Sequence, residues 1–337
     1  DDQGNPVSIP GSLKEVKGIG WYIEEYGVAQ LSLNLTNISI TPVHVAFDEA
    51  VNKAAARGIR VTGSELVGLV PLQSMLDAGQ YFLQKQQRSV GVSEAELIKI
   101  AVKSMGLDDL KPFNPEEKII EYMLRDTEAQ PLINMKLNDF ADETASESPA
   151  PGGGSISAYV GVLGVSLGTM VANLSAHKRG WDDRWEEFSA WAEKGMEYQQ
   201  TLMQLVDEDT ASFNKIMDAF GLPKGSDEEA AARQQAIQNA TKYATEVPFK
   251  VLDISYKSME VMKAMAEFGN PNSVTDAGVG ALCARTAVRG ALLNVKINAA
   301  GLDDKKFASE IVMKGETIAD KAFALENEIM DVVDSKI

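Results

Sequence analysis

An α+β domain followed by an all-α, up-and-down helical bundle is the architecture predicted for this chain of 337 residues, and three observations carry it. Up to about residue 126, stretches with a two-residue apolar period interleave with helical ones. Beyond that point the strand period disappears. From there on, long helical stretches are separated only by short breaks rich in Gly, Pro and Asn, the pattern of antiparallel helical neighbours. The length suffices for two cores, and the polar stretch Asp126–Pro131 sets the boundary between residues 1–126 and 127–337.

Residues 1 to about 12 read as loop. From Gly18 to Ile40 the alternation of Trp21, Ile23, Leu31, Leu33 and Leu35 about Tyr26-Gly27 predicts a hairpin. Thr41-Pro42 opens a helix with Val43, Phe47, Ala50 and Val51 on its apolar face, ended by Arg57-Gly58. Ile59–Leu69 returns to strand or loop, and Pro71 starts a second helix through Phe82. Ser93 with Glu96 three residues on is a capping box for a third, and Pro115–Asp126 reads as a helical exit. In the second domain the expected helices are Lys136–Thr144, a small-residue apolar helix from Ser155, a long one over Asp182–Phe220, and one from Ser226 to Phe268 kinked at Pro248. Val274–Ala300 and Asp303–Ile337 complete the bundle.

A net charge of −17 argues against nucleic acid, whose phosphates it would repel. One cysteine, Cys283, excludes an intramolecular disulfide and fits a reducing, cytoplasmic setting. Together with two histidines it leaves no zinc spacing, so no metal is expected. The polar start Asp1–Asn5 lacks a signal peptide and lacks Met. Ile156–Leu174 approaches membrane-spanning length. Its Ser157, Ser166, Thr169 and Asn173 and its glycine spacing mark it instead as a buried bundle helix, with no membrane insertion expected.

Two features stand out chemically. Pro151-Gly152-Gly153-Gly154-Ser155 puts glycines where a long helix begins, with Ser155 as the expected cap. Free N–H groups at such a start, with no Cβ in the way, suit an anion or a polar ring edge, although an interdomain turn reads the same way. The second feature is Asp209. On a 3-4 spacing the long helix presents Trp185, Phe188, Ala192, Leu202, Val206, Phe213, Ile216 and Phe220, an apolar seam in which Asp209 is the charged exception. Burial there raises a carboxyl pKa towards neutrality, as general acid–base work needs; a buried ion pair or structural hydrogen bond is the alternative. Asp207, about 200° round the helix, is expected to be solvated.

Asn270, Asn272, Ser273 and Asp276 form a second polar turn at a helix start, and Asn294 and Asn298 lie one turn apart on that helix. Lys178, Arg179, Arg285 and Arg289 either neutralise ligand carboxylates or are solvated surface. His44 reads as a structural histidine, His177 as a residue at a helix C-terminus, and Cys283 as core.

At these residues the sequence resembles the formimidoyltransferase-cyclodeaminase family of folate enzymes in histidine breakdown. The matching stretches are Lys17–Tyr22, Gly63–Leu72, Lys118–Tyr122, Ala150–Ser155, Leu205–Asp209, Gly269-Asn270 with Asp276, and Asn294–Asn298. They run over essentially the whole chain in the family's order. The resemblance implies that residues 1–126 are the second, ferredoxin-like subdomain of a formimidoyltransferase domain. The family's transferase histidine lies in the first subdomain, and His44 does not match it, so formimidoyl transfer is not expected of these residues unaided.

Residues 127–337 would be a complete cyclodeaminase domain. It would convert 5-formimidoyltetrahydrofolate to 5,10-methenyltetrahydrofolate and ammonia. The family's proton donor and acceptor falls on Asp209. The turns Gly152–Ser155 and Asn270–Asp276, with Asn294 and Asn298, would hold the pterin or tail, and Arg179 the glutamates of a polyglutamylated tetrahydrofolate. A homo-oligomer is expected, a dimer at least and an octamer by resemblance. The competing readings are a methenyltetrahydrofolate cyclohydrolase-like enzyme and a non-catalytic folate-binding or assembly module.

Overall fold

The computed structural model describes residues 2–7, 10–125 and 131–337. The expected boundary at 126 and most of its polar stretch lie outside them, as do residues 1, 8 and 9 of the expected N-terminal loop. The chain forms two compact units. One comprises residues up to Gln86 together with Ser93–Arg125; the other comprises Gln87–Val92 together with the chain beyond residue 130.

The first unit opens with an antiparallel hairpin, β1 (Val16–Ile23) on β2 (Val28–Leu35), in the register Val16↔Leu35 to Ile23↔Val28. Gly27 takes the positive φ (63°) that its turn requires. Helices α1 (Val43–Ala55), α2 (Leu72–Lys85) and α3 (Glu94–Met105) follow. Ser93 caps α3 by accepting the Glu96 N–H, and Gly106 ends it in the left-handed region. Ile59–Leu69 is loop; only Val70 pairs, in a parallel bridge to Ile119. That bridge divides the expected exit helix into α4 (Pro115–Lys118) and α5 (Ile120–Met123), because the fully buried Ile119 is extended where it meets Val70. The core of this unit lies between α2 and α3, around Met75, Phe82, Ile98 and Met105.

The second unit holds α6 (Leu137–Thr144), α7 (Gly153–Ala176), α8 (Trp185–Phe220), α9 (Asp227–Phe268), α10 (Val274–Ala300) and α11 (Lys305–Asp334). A 3₁₀ turn, Asp182–Arg184, replaces the expected first turn of α8. Ser226 and Glu229 form a capping box for α9, which continues through Pro248. Helix α7 packs on α8, α9 and α10, and α10 also packs on α9 and α11. Glycines allow the α7–α10 approach: a Cβ at Gly164 would lie 2.8 Å from the Gly280 carbonyl, and one at Gly280 equally close to that of Gly164. By length and composition α7 could cross a membrane, but 61% of its most apolar window is buried among its neighbours. The segment Gln87–Val92 is strapped to this unit, with Val90 N–H donating to Ser189 Oγ (3.0 Å) and Asn173 Nδ2 donating to the Gly91 carbonyl (2.8 Å).

Candidate active site

Ser155 is not the cap of α7. The N-cap is Gly152, which has no side chain to offer, and Ser155 lies inside the first turn. The missing acceptor comes from another helix. Asp209 of α8 accepts the Ser155 hydroxyl at Oδ2 (3.2 Å), and the nearby Ser155 backbone N–H helps to hold its pKa down. The contact is so close that a Cβ at Gly154 would overlap the carboxylate. A carboxylate at a helix N-terminus meets unpaired N–H groups and the positive end of the dipole, which explains why glycines stand here.

Asp209 and this turn wall a cavity of about 130 Å³. Its other walls include Thr210, Ser212, Phe213 and Ile216 from α8, Ala244 from α9, and Asn294 and Asn298 from α10. The two asparagines have fixed orientations. Asn294 Nδ2 donates to the Gly290 carbonyl (3.0 Å) and Asn298 Nδ2 to the Ala244 carbonyl (2.6 Å). Carbonyls only accept, so each amide commits one N–H to a helix carbonyl and its oxygen remains an acceptor. Among the described residues no Lys or Arg lines the cavity. The Asp209 carboxylate and the two amide oxygens can take a ligand that brings N–H donors or positive charge, beside the hydroxyls and the helix-start N–H groups of the same wall. Burial pushes the Asp209 carboxyl above its ordinary range, while the hydroxyl and N–H of Ser155 pull it back.

The expected site residues divide between two places. Gly152, Gly153, Gly154, Ser155, Asp209, Asn294 and Asn298 come together. Asn270, Ser273, Asp276 and Arg179 do not join them within the chain. Asn270 donates its N–H to Ser175 Oγ (2.8 Å), at the far end of α7, and accepts the Asn272 N–H (3.3 Å). At 1.5 Å per residue that end lies about 35 Å from the triglycine turn. Ser273 is buried, Asp276 is half-buried in the first turn of α10, and Arg179 is exposed just beyond α7. The reason is topological: α7 and α10 pack antiparallel, so the start of each meets the end of the other.

The remaining candidates have structural surroundings. Lys178 lies over the Trp181 ring (4.0 Å), and Arg285 pairs with the buried Glu326 (2.6 Å). Arg289 lines a separate cavity with Phe323. His44 is buried against Tyr81, His177 is the C-cap of α7, and Cys283 is half-buried.

Two seam expectations need correction. Asp207 is not solvated: it is 6% exposed and accepts the N–H groups of Leu132 (2.8 Å) and Ile133 (3.3 Å), docking the segment before α6. Beyond Asp209 the seam opens, leaving Phe213 42% and Phe220 49% exposed. The sequence pattern passes over Thr210 and Ala244 as cavity-lining residues, since a hydroxyl beside a seam and an alanine on a helix carry no sequence signal.

The family model described as formiminotransferase-cyclodeaminase matches residues 136–317, and that of the formiminotransferase domain matches residues 1–125. The chain is 38% identical to formimidoyltransferase-cyclodeaminase of Gallus gallus over 92% of its own length, spanning 57% of that relative. It is 38% identical to methenyltetrahydrofolate cyclohydrolase of Methylorubrum extorquens over 60% of its length, spanning 98% of that protein. The crystal structure of formiminotetrahydrofolate cyclodeaminase from Thermotoga maritima superposes with a TM-score of 0.51 at 28% identity, covering 59% of this chain and 97% of that one.

Proposed function

The chain belongs to the formiminotransferase-cyclodeaminase family, and from that premise we propose that its helical unit is a folate-dependent cyclodeaminase of histidine degradation. It converts 5-formimidoyltetrahydrofolate to 5,10-methenyltetrahydrofolate and ammonia, with Asp209 as proton donor and acceptor. One observation carries the reading: a half-buried carboxyl, raised by burial, faces a cavity that also presents the amides of Asn294 and Asn298 and, among the described residues, no cation. The substrate's amidinium brings N–H donors and positive charge to such a wall.

N10 and the N5-borne amidine carbon belong to one molecule, so the protein need only hold a ring-closing conformer. N10 attacks that carbon, and the C–N10 bond closes a tetrahedral aminal. The proton on N10 passes to the Asp209 carboxylate and then to the exocyclic nitrogen. The bond to that nitrogen breaks, ammonia leaves and the methenyl cation remains. Charge is conserved, and a nearby carboxylate favours both cations. These steps call for no metal and no redox cofactor. Asp209→Asn should keep the fold and folate binding and lose methenyl formation, read by its near-ultraviolet absorbance, by about 100-fold or more. Turnover at the parental rate would remove the assignment.

The resemblance to the Methylorubrum extorquens protein favours a second reading, methenyltetrahydrofolate cyclohydrolase activity. Its substrate brings the positive charge but no N–H at the reacting carbon, so the carboxylate and the two amide oxygens have no donor to accept from there. Ammonia release from the formimidoyl substrate, compared with formyl product from the methenyl one, separates the two.

Residues 1–125 are read as the second, ferredoxin-like subdomain of a formimidoyltransferase domain, whose transfer from N-formimidoyl-L-glutamate needs the first subdomain as well. The hairpin supports this, because it leaves Ile19, Trp21, Tyr22 and Leu31 exposed, apolar side chains that further packed elements would cover. The folate is read as polyglutamylated.

A homo-oligomer, at least dimeric, is supported by the faces of α7 and α10 turned away from α9. Leu163, Leu174, Val279, Leu282, Leu293 and Ile297 are 41–72% exposed there. They leave on the order of 600 Å² of apolar surface, near what a stable dimer buries per partner. A monomer by light scattering would overturn that reading.

A further inference from the structure

Hydroxyls in the helical unit are mostly spent on their own helix. Thr169, Thr201, Thr241 and Thr245 each donate to the carbonyl four residues back, at 2.8–2.9 Å. Ser157 and Ser166 do the same. Thr210 and Ser155 do not. Among the described residues neither hydroxyl bonds to a backbone carbonyl; instead the two meet each other at 3.3 Å, beside Asp209. For Ser155 the reason is position, since the carbonyl four residues back belongs to Pro151, ahead of the helix. Thr210 has a full helical turn behind it and still turns away, although that carbonyl is the usual partner of a helical threonine.

Ser155 is fully buried and has one proton and two neighbours, Asp209 Oδ2 at 3.2 Å and Thr210 Oγ1 at 3.3 Å. An ionised carboxylate only accepts, so Ser155 donates to Asp209 and its lone pair is left for the Thr210 hydroxyl. We propose that Thr210 is a positioning residue: through Ser155 it keeps a hydrogen bond on Oδ2 of Asp209 and so favours the carboxylate that takes the substrate's proton. When Asp209 carries a proton, the Ser155 hydroxyl can rotate towards Thr210, so both protonation states keep a partner.

Among the described residues no other charged side chain lines this cavity. The cavity walls from α7, α9 and α10 are glycines, Ala244 and the two asparagines. On α8, Asp207 is tied to the amides of Leu132 and Ile133, Glu208 is half-buried beside it, and Lys215 lies over the Tyr243 ring at 4.0 Å.

The inference rests on Asp209 as the acid–base group, and its test is independent of turnover. In the full chain labelled with ¹³C-aspartate, the Asp209 carboxyl signal is identified by its loss in Asp209→Asn, then titrated without substrate. Thr210→Val should raise its midpoint by about half a pH unit or more, and Ser155→Ala by more, because each removes hydrogen bonding that favours the charged form. Thr210→Ser should restore the parental midpoint. The same order should appear in the acid limb of the turnover profile. If Thr210→Val does not fold, Thr210→Ala carries the same expectation. A Thr210→Val midpoint equal to the parent's, or a Thr210→Ser midpoint that stays with the valine variant, would overturn the proposal. Unchanged turnover in Asp209→Asn would instead remove the function and leave the titration result standing.

Discussion

The antiparallel pair α7 and α10 begins at opposite ends of the bundle, and the two beginnings differ in how they satisfy their free N–H groups. At the 3₁₀ turn that leads into α10 the partners are neutral, one from the turn itself and one from α7. Asn270 accepts the Asn272 N–H and donates its own N–H to Ser175 Oγ, and Pro271 has no N–H to satisfy. At the start of α7 the glycines supply nothing, and Asp209 arrives from a different helix. A helix start held by neutral groups has no titratable partner. One that borrows a carboxylate from a neighbour holds an ionisable group at the edge of a cavity, where a ligand can compete for it.

Three measurements press on that contrast. The largest effect is expected from Gly154→Ala, whose new Cβ would overlap the Asp209 carboxylate. Displacing the acid by even an ångström should cost about 100-fold in methenyl formation, and the crowding about 1–3 kcal/mol of stability. Parental turnover in that variant would show that the close contact is incidental.

Next comes stability against pH. Burial raises the Asp209 carboxyl in the folded chain, so the folded state holds that proton more tightly than the unfolded one. The stability this gives is present in acid and is lost as pH rises through the folded pKa. At neutral pH Asp209→Asn should therefore melt above the parent, each 1 kcal/mol gained corresponding to about 2–4 °C for a unit of this size. The gap should close on acidification. A gap independent of pH would mean that the Ser155 hydrogen bonds offset the burial cost.

The smallest effect is expected from Asn270→Ala. Losing the side-chain acceptor that caps the 3₁₀ turn should cost about 1 kcal/mol with turnover unchanged, because that turn is remote from Asp209 within the chain. A loss of turnover with the fold intact would mean that the far turn reaches a cavity, and the only route is from a second copy.

Part of this was legible in the residues themselves. The breaks at Gly221–Gly225 and Gly269–Ser273, the caps at Ser93 and Ser226, and the hairpin about Tyr26-Gly27 depend on neighbours within a few positions, and they stand where local rules put them. The seam identified Asp209 as the polar exception in an apolar stripe. The same wheel misjudged Asp207, because rotation about one helix does not show what lies opposite. The segment Leu132-Ile133, 74 or more residues earlier, covers that side with two N–H donors.

The chain's order of residues was enough to determine two things: where helices start and stop, and which carboxylate sits among apolar neighbours. Both follow from periodicity and capping chemistry acting over a few residues. Only the tertiary structure decided that Gly154, Asp209, Asn294 and Asn298 share one cavity, while Asn270, Ser273, Asp276 and Arg179 lie at the other end of α7. Helix direction and packing set those distances, and a one-dimensional pattern carries no record of which helix ends meet.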